Sequence, residues 1–353
     1  MKHQIYYNLD KIDELGATYN IIYGEKSNGK SYQVKTKKAV IKYLETGKRF
    51  ILLRRWKEDI TNLWIEQYFA DVDVLGLTNS KYNCIVVYRK TLYLANVDEE
   101  GKVEKGDKIG YVMALSTEQH YSGGSFLDVE DVIFEEFMER GSYIKDESKK
   151  LEILYSTIDR KRGTTRFWLV GNSISRVCPY IQDWDLDKIL RNQKQGEIKT
   201  KTIHNEDNDV VIAIEYCKAS GGKQMSISNK MIDSGVWQSD KQPKLEKSYK
   251  EYQKIWQIGF YFKGFKYLAE LLKDEKDLIW FVKPYIGEFN EKTIVASDKI
   301  KSSKYWVCDI YNTNFRNDKI NNLLKTFREN NVFFSDDLTG TEFKKVINFV
   351  IKR

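Results

Sequence analysis

Proline is scarce, with three in 353 residues, and histidine equally so; the four cysteines, Cys84, Cys178, Cys217 and Cys308, lie far apart and form no CxxC pair. With so little proline and no low-complexity stretch, long disordered linkers are not expected. The shortage of cysteine and histidine argues against a structural zinc site and fits a reducing compartment. No run approaches the roughly 18 apolar residues of a membrane-spanning helix, so no membrane partner is expected. Residues 1 to 10 lack the basic-then-apolar pattern of a signal peptide. Nor does charge of one sign dominate: 58 basic against 51 acidic residues leave a net +7 and a pI near 8.8. That balance permits contact with nucleic acid without demanding it.

Apolar and aromatic residues are plentiful, at 41% and 14%. They suffice for the two cores that the length suggests. Asn20 to Tyr23 (NIIY) reads as a buried strand, Lys30 to Glu45 as a helix, and Arg49 to Arg54 (RFILLR) as a second strand. Strand, glycine-containing loop, helix and strand in that order open a parallel sheet. CIVVY, TLYLA and IGYVMAL make Cys84 to Leu115 a β-rich excursion, and DVIF and RFWLV are further buried strands around a helix at Lys149 to Ile158. The expected class is α/β. A domain with a mainly parallel sheet would span 1–185, a polar linker 186–208, and a smaller α+β domain 209–353.

The sharpest motif is Gly24-Glu25-Lys26-Ser27-Asn28-Gly29-Lys30-Ser31, a full GxxxxGK[ST] phosphate-binding loop. Its glycines let successive N–H groups face phosphate oxygens, Lys30 supplies positive charge to the β- and γ-phosphates, and the Ser31 hydroxyl helps hold Mg2+. The helix beginning near Lys30 aims its positive end at the same anion. Chance would supply the four fixed positions in about one chain in a hundred of this length. Here the motif also sits between a strand and a helix, where the chemistry requires it. The cofactors expected are therefore ATP and Mg2+.

Such a site also needs a carboxylate beyond the metal and a group to orient water. Asp131-Val132-Ile133-Phe134-Glu135-Glu136 delivers two acids at a strand end, where ligands of α/β sheets collect. Glu135 would face the metal and Glu136 the attacking water; the alternative is two solvated acids opening a helix. Asn172, after the strand RFWLV, would sense the γ-phosphate, or is simply a turn asparagine. The turn Asp159-Arg160-Lys161-Arg162-Gly163 offers an arginine to a neighbouring subunit's nucleotide, or is a solvated basic turn. Arg54 and Arg55 end the second strand close to where phosphates would bind. Lys57, Lys102, Lys105, Arg140 and Lys145 are basic positions that would contact DNA phosphates, each equally well read as plain surface.

Taken together, IYYNLDKI, IIYGEKSNGKSY, FILLRRWKED, IGYVMALS, VIFEEF and RFWLVGNSISRVCPY resemble, in order and spacing, the encapsidation proteins of small protein-primed podophages. The resemblance covers about residues 4 to 185. It implies an additional-strand, catalytic-glutamate (ASCE) ATPase domain followed by a domain similar to the RNase H-like nuclease fold of terminases. It implies a homo-oligomeric ring, pentameric in the family, that works at the portal, or connector, of an empty capsid and moves double-stranded DNA inward. Some relatives also dock on a structural packaging RNA. By position, Lys30 and Ser31 match the loop pair and Glu136 the catalytic glutamate, while Glu135 stands where aspartate is usual. Arg162, with Arg160 as fallback, matches a trans-acting finger, and Arg54 and Arg55 match a paired-arginine feature near the nucleotide. The protein would act in the host cytoplasm and be absent from the mature virion.

The second domain's acids, Glu215, Asp233, Asp277 and Asp309, are scattered, and no nuclease activity is expected of it. Two other readings share the loop: a P-loop helicase or replication ATPase, and a non-hydrolysing ATP-gated scaffold.

Overall fold

Tyr19–Gly24 is buried at every position, as a strand covered on both faces must be. It is strand β1 of the chain, seen in a computed structural model. The structure describes residues 7–139, 143–173, 176–204, 209–218, 240–262, 265–275, 277–289, 293–297, 306–309 and 318–351. The chain divides into two units: Met1–Ile174 with Arg191–Val236, and Ser175–Leu190 with Trp237–Arg353.

In the first unit β1 is followed by β2 (Arg49–Arg54), β3 (Cys84–Tyr88), β4 (Thr91–Val97), β5 (Val103–Ala114), β6 (Val129–Glu135), β7 (Arg166–Asn172), β8 (Ile198–His204) and β9 (Asp209–Tyr216). They form one sheet in the order β3-β4-β5-β2-β6-β7-β1-β9-β8. Neighbours from β5 through β9 pair in parallel, and β3, β4 and β8 add antiparallel margins. β7 thus stands between the phosphate-loop strand β1 and the acidic strand β6, the additional-strand arrangement that the family resemblance implies. Because β1, β6 and β7 run the same way, their C-terminal ends share one edge of the sheet. The helical stretch after the loop runs through Lys30–Val34, Lys35–Ile41 and Lys42–Thr46, its middle part wound as a π-helix. Val34, Ala39 and Val40 on it join a core with Ile22, Phe50, Leu52, Ile133 and Trp168.

Of the stretch expected as a linker, 186–208, the described part, 186–204, is built into structure instead. It holds a helix at Asp187–Asn192 and strand β8, which pairs with β9, and β9 pairs directly with β1. The first unit's sheet therefore continues to Tyr216, and Val210 to Tyr216 belongs to it rather than to the second domain. Ser175–Leu190 counts with the second unit, although 175–185 was expected in the first domain and 186–190 in the linker. The sequence misleads because β8 is an edge strand. Lys199 and Lys201 are ladder residues with charged side chains, a normal guard against edge-to-edge pairing, and they give the segment a linker's polarity.

The second unit holds β10 (Gln253–Phe262), β11 (Phe265–Asp274), β12 (Asp277–Pro284), β13 (Ile294–Ser297), β14 (Trp306–Asp309) and β15 (Val332–Phe334) in the order β14-β13-β10-β11-β12-β15. An antiparallel meander, β10 to β12, is extended in parallel by β13 and β14 on one side and β15 on the other. The sheet is thus mixed, with an antiparallel centre and parallel margins. Ile320, Leu323, Leu324 and Phe327 recur at helical spacing on Asp318–Arg328, and Phe343, Val346 and Ile347 on Asp337–Ile351; both stripes join this core. Within the unit, buried Arg176 grips Glu342 in two places (Nε to Oε1 3.0 Å, Nη2 to Oε2 3.2 Å), and the Tyr267 hydroxyl donates to the same carboxylate at 3.2 Å.

Asp131 sits inside the first unit, 4% exposed, accepting the Trp168 indole N–H at 2.7 Å. Burial pushes its carboxyl up to about 6, against the pull of the Lys38 charge and the Trp168 bond. Between its ordinary value of 3.8 and about 6 the folded protein keeps a proton that the unfolded chain has released. Stability therefore falls as pH rises through that window. Asp131→Asn keeps an acceptor and loses the titration. Its stability relative to wild type is expected to rise between about pH 4 and pH 6, by up to about 3 kcal/mol. Urea unfolding across that range checks this, and a pH-independent difference would contradict it.

Candidate nucleotide site

At the shared strand ends lies a cleft of about 760 Å³, lined by Lys26 to Lys30 of the loop, Ser31, Gln33, Lys35, Asp71, Glu135, Glu136 and Asn172 among others. The loop's shape follows from its sequence. Gly29 has φ 94°, a left-handed conformation that glycine adopts without strain, and the helix begins at the next residue. A Cβ on Gly24 would come within 3.1 Å of the Cys217 Cβ, so glycine is favoured where the loop's first position passes Cys217, just beyond β9. The Tyr7 N–H donates to the Asn28 carbonyl at 3.0 Å and steadies the turn.

Lys30 is buried and folds its ammonium back onto the loop, onto the Glu25 carbonyl and, at 3.1 Å, Asn28 Oδ1. Burial lowers its pKa, against the opposing charges of Glu135 and Glu25. The Ser31 hydroxyl donates to Glu135 Oε2 at 3.0 Å, and the Tyr68 hydroxyl donates to Glu135 Oε1 at 2.7 Å. Burial raises the Glu135 carboxyl; the bonds from Tyr68 and Ser31 pull it back, and the neighbouring Glu136 charge raises it further. A serine hydroxyl and a carboxylate at this distance are hard oxygen donors of the kind Mg2+ takes, and the loop above them suits phosphate. The residues fit a metal–nucleotide pair.

Glu136 follows in a left-handed conformation, φ 57°, that is costly for a residue with a Cβ. Its side chain is exposed to the cleft and accepts from Arg54 Nη1 at 3.0 Å, while the Arg54 guanidinium lies 4.6 Å above the Trp64 ring. Asn172 ends β7 in register with Gly24 and lines the cleft.

Other expected residues are placed differently. Arg55 does not line the cleft. It is buried against Glu147, at 2.9 and 3.0 Å, and donates to the carbonyls of Glu136 and Phe137 at 3.1 and 2.6 Å. It shapes the chain after β6 rather than touching nucleotide, because a buried guanidinium must spend its donors where acceptors are. Arg54 also stands outside the lining and reaches the site through Glu136. Of the loop, Gly24 and Glu25 are not among the residues that line the cleft. In the basic turn, the Asp159 carboxylate accepts the N–H groups of Gly163, Thr164 and Thr165 at 2.8 to 3.1 Å. Arg162 donates to the carbonyls of Leu127 (2.7 Å), Asp159 (2.9 Å), Val129 and Ile158 (both 3.0 Å). Arg160 is exposed and reaches the Gly124 carbonyl at 2.6 Å. Lys57, Lys102, Lys105 and Lys145 are exposed, and Arg140 lies outside the described residues. Of the scattered acids, Glu215 lies on β9 of the first unit and accepts the Tyr7 hydroxyl at 2.7 Å, Asp277 and Asp309 begin β12 and end β14, and Asp233 lies outside the described residues.

Sequence reasoning missed Tyr68, Lys35 and Asp71. Lys35 follows Ser31 by one helical turn, a spacing that would have put it on the same face. Nothing local marks Tyr68, in the helix Asn62–Phe69, as a partner of the acids.

Comparison with known proteins gives one origin for these features. The family described as Podovirus DNA encapsidation protein (Gp16) matches residues 1–337. The DNA packaging proteins of Bacillus phages PZA and phi29 are each 26% identical over 189 residues, 53% of this chain and 52% of theirs. The chain thus spans about half the length of the curated relatives it matches. Among solved structures, the bacteriophage Phi-29 viral genome packaging motor assembly is similar over 98% of this chain and 99% of the matched one, at 19% identity and a TM-score of 0.57. At that identity the likeness speaks for the fold.

Arg55→Ala would leave the Glu147 carboxylate, which is fully buried, without its guanidinium. The expected cost is about 3–5 kcal/mol, read as a lowered denaturation midpoint. A loss below about 1 kcal/mol, the value of an exposed ion pair, would rule out this structural role.

Proposed function

This chain belongs to the Podovirus DNA encapsidation protein (Gp16) family, and we propose that it is an ATP-hydrolysing motor subunit that drives double-stranded viral DNA through a portal into a preformed procapsid. The observation that carries the reading is the meeting of Ser31 with Glu135, residues 104 apart in sequence, at the foot of a glycine loop. Glu136 stands beside them, open to the cleft.

Each residue has a task in this reading. The loop N–H groups and Lys30 bind the phosphates of ATP, and the ammonium must leave Glu25 and Asn28 to do so. Ser31 and Glu135 hold Mg2+, which when bound neutralises charge on the β- and γ-phosphates. Glu136 orients the attacking water and draws its proton. Asn172 faces the γ-phosphate from the added strand. A finger from the neighbouring subunit completes the site, and Arg160 suits that task better than Arg162. Arg160 projects from the turn at the end of the helix Glu147–Asp159, whereas the donors of Arg162 are engaged by its own chain. The finger makes a ring part of the proposal, a pentamer at the portal vertex by family resemblance, with a packaging RNA as a further partner and the host cytoplasm as the place of action. Lys57, Lys102, Lys105 and Lys145 remain its proposed DNA contacts. The second unit binds portal, RNA or DNA and does not cut: β10, the central strand (QKIWQIGFYF), carries no carboxylate to start a two-metal site.

ATP turnover measured with and without double-stranded DNA tests the reading. DNA is expected to stimulate wild type, and Glu136→Gln to bind ATP while turnover falls at least about a hundredfold. Arg160→Ala is expected to fold normally, lose turnover alone, and regain it when mixed with Glu136→Gln subunits that supply the arginine. Wild type that binds ATP yet turns over no faster than Glu136→Gln, even with portal and capsid added, would leave the scaffold reading in its place.

A further inference from the structure

Glutamate at the metal position is one methylene longer than the aspartate usual there, and a longer side chain has one more torsion to fix. The structure supplies a device that fixes it. Glu135 is held from two sides: Oε2 by the Ser31 hydroxyl and Oε1 by the Tyr68 hydroxyl, the shorter of the two bonds. Tyr68 in turn is fixed on all sides. Its ring stacks on Trp64 at 5.3 Å, meets the edge of Phe69 at 4.8 Å, and lies under the Lys35 ammonium at 4.7 Å. That ammonium also donates to the Tyr68 carbonyl and pairs with Asp71. Lys35 is four residues beyond Ser31 on the helical stretch that leaves the phosphate loop. The contacts therefore close a ring: Ser31 to Glu135, Glu135 to Tyr68, Tyr68 to Lys35, and Lys35 back to Ser31 through one helical turn.

We propose that Tyr68 is the positioning residue of the metal carboxylate: it locks the Glu135 rotamer so that Oε2 faces Ser31 and the metal, and so makes glutamate serve where a shorter acid is usual. Tyr68 itself does not touch metal or nucleotide. The inference rests on the nucleotide-hydrolysing reading of the site. It differs from a role in folding, because the Tyr68 hydroxyl makes the hydrogen bond to Glu135, while the ring makes the packing contacts.

The test uses the full chain and a fluorescent ATP analogue, titrated with Mg2+ and, separately, bound in EDTA. Tyr68→Phe keeps the ring and its stacking, so its melting temperature should stay near that of wild type. Its half-saturating Mg2+ concentration is expected to rise roughly tenfold, the worth of one hydrogen bond to a charged group. Metal-free nucleotide affinity should change less than about twofold. Glu135→Asp supplies a second reading, since the shorter acid cannot span both hydroxyls. Adding Tyr68→Phe to it should shift the Mg2+ requirement by less than about threefold, the non-additivity of a coupled pair. Two outcomes overturn the inference while the nucleotide reading stands: an unchanged Mg2+ requirement in Tyr68→Phe, or equal losses with and without metal. Wild type without Mg2+-dependent nucleotide binding would overturn the nucleotide reading, and the inference with it.

Discussion

The hydrogen bond between Ser31 and Glu135 is the contact on which the candidate site depends, and the sheet order explains why it can form. β7 separates β1 from β6, so the acidic strand lies two strand spacings, about 10 Å, from the strand that launches the loop. A phosphate group and a hydrated metal need a gap of that order. The first turn of the helix after the loop crosses it, bringing Ser31 over β7 to the end of β6. The same geometry puts Asn172, at the head of the intervening strand, in the cleft wall. Had β6 adjoined β1 directly, the acids would crowd the loop and leave no place for Asn172.

Much of this was legible in the sequence because it is written locally. The glycine loop carries its own conformational demand, the buried strands are continuous apolar runs, and the acids follow directly on one of them. The edge strand β8 was not legible, because a strand guarded by Lys199 and Lys201 has a linker's composition. Tyr68 escaped for a different reason. Its role is defined by a partner 67 residues away in sequence, and an aromatic on an amphipathic helix has the same signature whether it fills a core or holds a carboxylate.

The arginines teach a related lesson about reading charge. Arg55 and Arg162 each look, in sequence, like a cation available to a phosphate, and Arg176 belongs with them in structure. In the structure each spends its donors internally: Arg55 on Glu147 and two carbonyls, Arg162 on a cage of carbonyls, Arg176 on Glu342. A guanidinium offers five N–H groups in a fixed plane and so serves well as a cross-brace between segments that lack a shared ladder. Two arginines adjacent or nearly so to these braces are placed otherwise: Arg54 reaches Glu136 at the cleft, and Arg160 is exposed. The brace holds the backbone that aims its neighbour. In both cases the working residue and the supporting residue are of one type.

The pairing of Tyr19 with Ile212 also bears on how the protein is made. During synthesis β1 emerges first, and its partner β7 follows; its other edge stays open until β9 leaves the ribosome. Until then a mostly apolar strand presents unpaired amides to solvent, a hazard for any chain that folds vectorially. The nascent first unit therefore has to be shielded, by collapse of its own helices or by a chaperone, while residues of the second unit are already being added.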